Sequence, residues 1–298
     1  MSLDTQRDVR EFTHHESFEA ERVVYELIRS AQERERGEKP SARPCIAILP
    51  GGLDGVSGGY GMAKLEHLRL TQGFHAILGS STGAAAAAYG AAEKAGIGCT
   101  IYPDECTRGQ FFDLRRRKKG KPIMDVHWLV HTVFAGKLQG SEHKKLNASR
   151  VINSEIETYF QVKNSKTGDS ELRRPRTEIE LMQTLEASMS FPIMTNYTPV
   201  LIDGVQYEDA GDTNPFPYED FSKIARPTSM IVFTNRAKKY PPSDVLQEQL
   251  ATLQKSGVPY IIVWADEIDK KKKTPDKLRA AGEHFAAHVA LLFEKPPR

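Results

Sequence analysis

The stretch Phe74–Gly83 (Phe-His-Ala-Ile-Leu-Gly-Ser-Ser-Thr-Gly), with alanine at every position from Ala84 to Ala88, constrains this chain more than any other. A short apolar run breaks into Gly-x-Ser-x-Gly and turns alanine-rich, which predicts a strand, a sharp turn and a helix with Ser81 at the apex. A strand that turns straight into a helix forces the apex residue into a strained backbone conformation. Side chains one turn away then collide, and Gly79 and Gly83 remove them. The same geometry lifts the Ser81 hydroxyl off the sheet and aims amide groups of a helix N-terminus at developing negative charge.

A second constraint lies upstream. Cys45–Leu49 is a continuous apolar run, the pattern of a strand buried on both faces. It runs into Pro50–Gly61, where six of twelve residues are glycine, too many for a regular element to be expected. Met62–Leu70 then reads as a helix. Strand, glycine loop and helix form a backbone-amide anion site. The glycine spacing does not fit a dinucleotide-binding fingerprint, and no Gly-Lys-Ser/Thr follows to make a nucleotide phosphate loop.

Further along, strand and helix patterns alternate. The apolar runs Met230–Phe233 and Tyr260–Trp264 read as buried strands. Glu178–Met189, Val245–Leu253 and Leu278–Phe293 read as helices, and Ser149–Val162 as strand-rich. The elbow helix is expected to run from Thr82 to about Lys94. Asp203-Gly204 between apolar residues marks a hairpin whose second arm delivers Asp209. This alternation predicts an α/β class with a largely parallel sheet. Residues 1–44 read as an N-terminal helical extension, with Ala20, Val23, Val24, Leu27, Ile28 and Ala31 on one helical face. Residues 45–298 read as the main domain.

Bulk properties exclude several functions. Basic residues number 41 and acidic ones 39 in 298, so no global positive field marks a nucleic-acid binder. Cys45, Cys99 and Cys106 form no Cys-x-x-Cys pair, and His127 and His131, at i and i+4, have no third ligand nearby in sequence. Neither a metal nor a cofactor is expected. No apolar run reaches the roughly 18 residues of a membrane span, and the polar N-terminus is no signal peptide, so a cytoplasmic location is expected. Lys270–Lys273 reads as a solvated loop. The basic stretch Arg115–Lys121, interleaved with apolar neighbours such as Phe111, Phe112 and Leu114, reads as a solvated helix face or as a patch for anionic membrane surfaces.

Ester hydrolysis needs a nucleophile, a base and donors for the oxyanion. Ser81 supplies the first and the Gly51–Leu53 loop the third. The base is either a histidine, with His284 and His288 the only ones downstream of Asp209, or a desolvated carboxylate, which Asp209 suits. Asp203 is a rival acid, but its place in a hairpin turn suffices to explain it.

These blocks together resemble the patatin-like phospholipases. That family carries a glycine-rich oxyanion loop after its first strand, a Gly-x-Ser-x-Gly elbow, and an Asp-Gly-Gly/Ala block with the dyad acid. Pro50–Gly55, Gly79–Gly83 and Asp209–Gly211 are similar to them in order and spacing, and Glu186–Pro192 is similar to the segment preceding the acid block. The region around Gly120–Asp125 is similar to a bacterial subgroup. The resemblance covers about residues 45–235. It implies a three-layer α/β/α sandwich and a serine acyl hydrolase acting on lipid or other acyl-ester substrates without metal. Ser81 and Asp209 are then its dyad, and amides of Gly51, Gly52, Leu53 and Thr82 its oxyanion hole. Two departures stand out. Pro50 replaces the family's first glycine, and Asp54 replaces the usual Arg or Lys. A carboxylate near a developing oxyanion opposes it, so the alternative expectation is a catalytically weak lipid-binding or regulatory pseudoenzyme on the same fold.

Overall fold

The computed structural model describes residues 15–237, 242–265 and 274–294. Lys270–Lys273 and the first 14 residues lie outside them. The elements are β1 (His15–Phe18), α1 (Ala20–Glu35), β2 (Pro44–Ile48), α2 (Val56–His67), β3 (Ala76–Ser80), α3 (Thr82–Ala91), β4 (Glu157–Asn164), β5 (Ser170–Arg173), α4 (Glu178–Met189), β6 (Val200–Ile202), β7 (Val205–Glu208), α5 (Tyr218–Ala225), β8 (Ser229–Ala237), α6 (Asp244–Lys255), β9 (Tyr260–Ala265) and α7 (Pro275–Phe293). Shorter helical turns are given below by residue range.

The strands form one nine-stranded sheet in the order β1-β9-β8-β2-β3-β4-β7-β6, with β5 on β4. Neighbours from β9 through β4 run parallel, and the antiparallel pairs lie toward the edges. The expected three-layer α/β/α sandwich with a mostly parallel central sheet is the fold observed. Its cause is visible in the alternation along each strand. Ile46, Ile48, Ile77, Ile231, Phe233, Ile261 and Val263 pack with α1, α2, α3, α4 and α7 on one face. Cys45, Ala47, Leu78, Met230, Val232, Ile262 and Trp264 pack with α5 and α6 on the other. Both faces are covered, so both must be apolar.

The α1 helix buries Val23, Val24, Leu27 and Ala31 in the first of these clusters. The Thr228 hydroxyl, just ahead of β8, donates to Glu26 at 2.7 Å. Thr177 caps α4 by accepting the amide of Glu180, whose carboxylate in turn accepts from the Arg176 amide at 2.8 Å.

Four local expectations are corrected. Most of the glycine-rich stretch is helical: a 3₁₀ turn covers Gly52–Gly55 and α2 begins at Val56, taking in Gly58, Gly59 and Gly61. Packing is the reason. A Cβ on Gly58 or Gly61 would stand 2.7 Å from Ile48 or from Phe233 and Phe285, and one on Gly59 3.0 Å from Tyr102. The missing side chains let α2 lie close on the sheet, which outweighs the roughly 1 kcal/mol that glycine costs a helix. The basic stretch is a six-residue 3₁₀ turn, Leu114–Lys119, and not an α-helical face; Asp113 caps it through the Arg115 amide. Ala148–Ile152 is helical, and the strand begins only at Glu157. The elbow helix ends at Ala91, and Gly96 and Gly98 belong to a separate turn, Ala95–Gly98.

Candidate active site

β3 delivers Ser81 as expected. Its backbone has φ 55° and ψ −126°, a region that a non-glycine residue occupies only under constraint, and Thr82 opens α3 immediately after it. A Cβ on Gly79 would stand 2.6 Å from the Ala84 Cα, and one on Gly83 would press into the Ile48 carbonyl, so both glycines serve close approach. Sheet register brings the acid to the same level. Ser80 lies opposite Gln161 in the parallel pair and Lys163 opposite Glu208 in the antiparallel one. The residues one step on, Ser81 and Asp209, therefore flank Val162. The Ser81 hydroxyl donates to Asp209 Oδ2 at 2.5 Å.

Asp209 is 2% exposed. Burial pushes its carboxyl up to about 7, against the lowering effect of the hydrogen bonds from Ser81 and from the Gly211 amide; Asp212 raises it further and Lys163 lowers it. The Gly211 amide reaches Asp209 Oδ1 at 2.7 Å, so both carboxylate oxygens are engaged. Gly211 must be glycine because a Cβ there would stand 2.7 Å from the Pro50 Cβ. Pro50, the departure in the first block, thus packs against the bend in the third.

Three elements hold this geometry, one of them in the Glu186–Pro192 segment singled out above, through contacts that the sequence did not specify. Ser188, in the last turn of α4, accepts the Ser81 amide at 3.1 Å, and the Ser190 carbonyl accepts the Asp209 amide at 3.1 Å. Behind the elbow, Ser80 donates to Gln161 at 2.6 Å, and Gln161 donates to the Asn214 carbonyl at 2.5 Å, tying the acid loop to β4. Asn235, at the end of β8, donates to the Leu49 carbonyl and accepts the Gly58 amide at 2.9 Å. It locks the loop between β2 and α2, beside the point where strand order reverses between β2 and β8.

A cavity of about 540 Å³ opens over these groups. Ser81, Thr82, Asp209, Gly51, Gly52, Leu53 and Asp54 line it together. Gly52 adopts φ 57° and Gly51 φ −166°, and the amides of Gly52 and Leu53 open the 3₁₀ turn, where the first donors lack intrahelical acceptors. The Thr82 amide stands likewise at the start of α3, with its carbonyl held by the Tyr102 hydroxyl at 2.7 Å. Asp54 is half-buried, and its amide donates to the Gly51 carbonyl at 3.1 Å. The rest of the lining is mostly apolar, including Ile101, Phe111, Met124, Leu129, Phe134 and Met189.

The alternatives weighed in the sequence fall elsewhere. His284 and His288 lie on α7 and neither lines the cavity, so among the described residues no histidine joins Ser81 in a Ser-His-Asp arrangement. Asp203 sits in the hairpin turn at φ 52° and pairs with Arg173 at 3.2 Å. The three cysteines are free and buried, and burial raises the Cys45 and Cys99 thiols to about 12.

No family model and no curated protein matches this chain. Among solved structures, VipD from Legionella pneumophila is similar at 10% identity over 86% of this chain and 67% of that one, with a TM-score of 0.51. Human GIVD cytosolic phospholipase A2 aligns at 11% identity over 91% and 52% of the two chains, TM-score 0.43. ExoU of the Pseudomonas aeruginosa type III secretion system, solved with SpcU, aligns at 12% identity over 85% and 54%, TM-score 0.40. The first of these is a likeness of fold, and the other two overlap too loosely to add to it. This chain spans about half the length of those two.

Proposed function

We propose that this protein is a serine acyl hydrolase acting on lipid acyl esters by a Ser-Asp dyad. The single observation that carries the reading is the 2.5 Å hydrogen bond from Ser81 to a buried Asp209 at the floor of an apolar cavity. Asp209 takes the Ser81 proton as Oγ attacks the acyl carbonyl. Amides of Gly51, Gly52, Leu53 and Thr82 hold the oxyanion. Collapse of the tetrahedral intermediate forms the Ser81 ester and expels the alcohol, which takes the proton back from Asp209. Water, deprotonated by the same carboxylate, then cleaves the acyl-enzyme and releases the fatty acid. The cavity volume lies in the range of ordinary ligand pockets, and its apolar wall suits an acyl chain.

The membrane contact belongs to the same reading. Leu114, Ile193 and Tyr197 are exposed apolar residues beside the basic Arg115–Lys121 turn. The Asn196 amide group donates to the Gly120 carbonyl and the Met124 amide to the Met194 carbonyl, so these two segments form one surface. Phe111, Met124, Phe191 and Met194 carry that surface into the cavity wall. An anionic lipid surface is the partner it fits.

Reaction with a fluorophosphonate followed by mass spectrometry tests the assignment. The expected adduct is on Ser81, with hydrolysis of p-nitrophenyl esters abolished by Ser81→Ala. Hydrolysis that persists with Ser81 unmodified refutes it.

A further inference from the structure

His127 and His131, which the sequence leaves one ligand short, gain a third donor from a residue more than fifty positions away. His127 Nδ1 lies 2.9 Å from Glu186 Oε1, and His131 Nε2 lies 2.8 Å from Glu186 Oε2. One ligand atom from each of the three residues falls within 4.8 Å of the other two. We propose that His127, His131 and Glu186 form a site for a zinc-class divalent cation.

The local backbone explains why the rings converge. Val126–Trp128 is a helical turn that continues as a π-helix over Leu129–Phe134. Positions i and i+4 lie on one face of such a helical segment, as they do on an α-helix. The imidazoles accordingly stack with centroids 4.4 Å apart, and both turn a nitrogen toward the same carboxylate.

Two imidazole nitrogens and one carboxylate oxygen are the donor set of zinc and its neighbours, whereas calcium and magnesium take oxygen ligands. A tetrahedral ion with bonds of about 2.0–2.1 Å holds its donor atoms roughly 3.3 Å apart. Each nitrogen already stands near that spacing from one of the two Glu186 oxygens, His127 from Oε1 and His131 from Oε2, so a small turn of one ring or of the carboxylate brings a single oxygen to both. His127 supplies the remaining adjustment, because its side chain is 74% exposed and its ring can swing, while Glu186 is packed to 14%. Coordination requires each ring to carry its proton on the nitrogen facing away, and the fourth position is left to water.

The location gives the ion a consequence. Val126, Leu129 and Phe134 of the histidine-bearing segment line the cavity. Glu186 lies one half-turn before Ser188 and one turn before Ser190, which hold the amides of Ser81 and Asp209. A bound ion therefore clamps the cavity wall to the helix end that anchors both residues.

Zinc sulfate titrated calorimetrically into the chelator-treated full chain, with thermal melts in parallel, tests the site without reference to hydrolysis. One ion per chain is expected, with micromolar affinity and a melting temperature raised by several degrees. His127→Ala and His131→Ala each weaken binding by about tenfold or more, as does Glu186→Gln. His127→Ala, at an exposed position, melts like the unaltered protein when zinc is absent. Cobalt(II) gives the visible absorption of a tetrahedral nitrogen–oxygen site, and His127→Ala removes it. The absence of saturable binding to the unaltered chain overturns the proposal and leaves Glu186 as a hydrogen-bonded latch. Unchanged binding in both histidine variants overturns it equally, since the ion then sits elsewhere. Neither result bears on whether Ser81 reacts with a fluorophosphonate.

Discussion

The Ser188 hydroxyl oxygen accepts the Ser81 amide at 3.1 Å, and two residues later the Ser190 carbonyl accepts the Asp209 amide at the same distance. One helix end thus holds the backbone of both members of the proposed dyad, although they lie 128 residues apart in the chain. Ser188→Ala leaves the Ser81 amide buried and unpaired, at a cost of about 1–3 kcal/mol. The turn relaxes and Ser81 Oγ drifts from its partner. Steady-state kinetics on a soluble ester should show kcat down roughly ten- to a hundredfold with KM nearly constant. A fall in KM affinity with kcat intact would place Ser188 in substrate binding instead.

Asp209 makes activity and stability move in opposite directions with pH. As the proposed base it must be ionised, so kcat/KM is expected to rise with pH through a midpoint near 7. Its folded pKa lies above the unfolded value of 3.8, so the native state binds more protons between those limits. Stability therefore falls as pH climbs from about 4 to about 7, by at most about 4 kcal/mol, and levels off above. Asp209→Asn should abolish hydrolysis and flatten that slope, so that denaturant midpoints of the two proteins converge at pH 4 and separate at pH 8 in favour of the variant. The gain is reduced by one lost acceptor, since the amide group replaces an oxygen facing either Ser81 or Gly211.

Pro50 and Gly211 form a steric lock between the Gly51–Leu53 loop and the bend after Asp209. Gly211→Ala sets a methyl 2.7 Å from the Pro50 Cβ. Overpacking of this kind costs about 1–3 kcal/mol. It also shifts the amide that donates to Asp209, so the pH midpoint of kcat/KM rises along with the loss of rate. The double variant Pro50→Gly, Gly211→Ala relieves the clash and should recover part of both effects. Additive losses in the double variant would show that the two residues do not communicate.

Asp54 stands in the loop itself with a charge that opposes the proposed chemistry, whereas Asp212, also in the lining, is paired with Lys163 at 3.6 Å. Asp54→Asn keeps the shape of the loop and removes the negative charge, so kcat should rise several-fold if the amides of Gly51, Gly52 and Leu53 hold the oxyanion. An unchanged rate alongside a reactive Ser81 means that the Asp54 carboxylate is turned away from the oxyanion position.

Much of this arrangement was legible in the sequence, and the reasons differ by residue. Ser81, Gly79 and Gly83 announce themselves because one tight turn imposes all three types at fixed spacing. Asp203-Gly204 does so because a two-residue hairpin requires left-handed backbone, here φ 52° and 82°. The buried strands follow from continuous apolar runs with both sheet faces covered. Gln161 and Asn235 were illegible, and for Ser188 the segment was legible but not its contact, since each is a common polar residue whose role arises from a contact across 50 to 190 positions. Gly58, Gly59 and Gly61 misled because glycine signals a loop locally, and only the neighbours Ile48, Tyr102 and Phe285 reveal it as a packing device. Glu186 completed the histidine pair through tertiary contact alone.

If the proposed function holds, the surface formed by Leu114–Lys119 and residues 193–197 should separate catalysis on soluble esters from catalysis on membranes. Arg115 is paired with Asp113, and Arg116 with Asp125 and the Gln110 carbonyl, so these two cations serve the turn itself. Arg117, Lys118, Lys119 and Lys121 are exposed, and Leu114, Ile193 and Tyr197 stand 63%, 49% and 69% exposed beside them. Each basic residue near an anionic bilayer contributes about 1 kcal/mol, so Lys118→Gln, Lys119→Gln and Lys121→Gln together weaken vesicle binding by about a hundredfold. Rates on phosphatidylserine-containing vesicles should fall accordingly and become insensitive to salt, because the screened attraction is gone. Hydrolysis of p-nitrophenyl butyrate, which needs no bilayer, should stay unchanged. Tyr197→Ser reduces binding to neutral vesicles as well, since it removes apolar contact rather than charge. Equal losses on vesicles and on the soluble ester would mean that the turn supports the cavity wall and does not dock on a membrane.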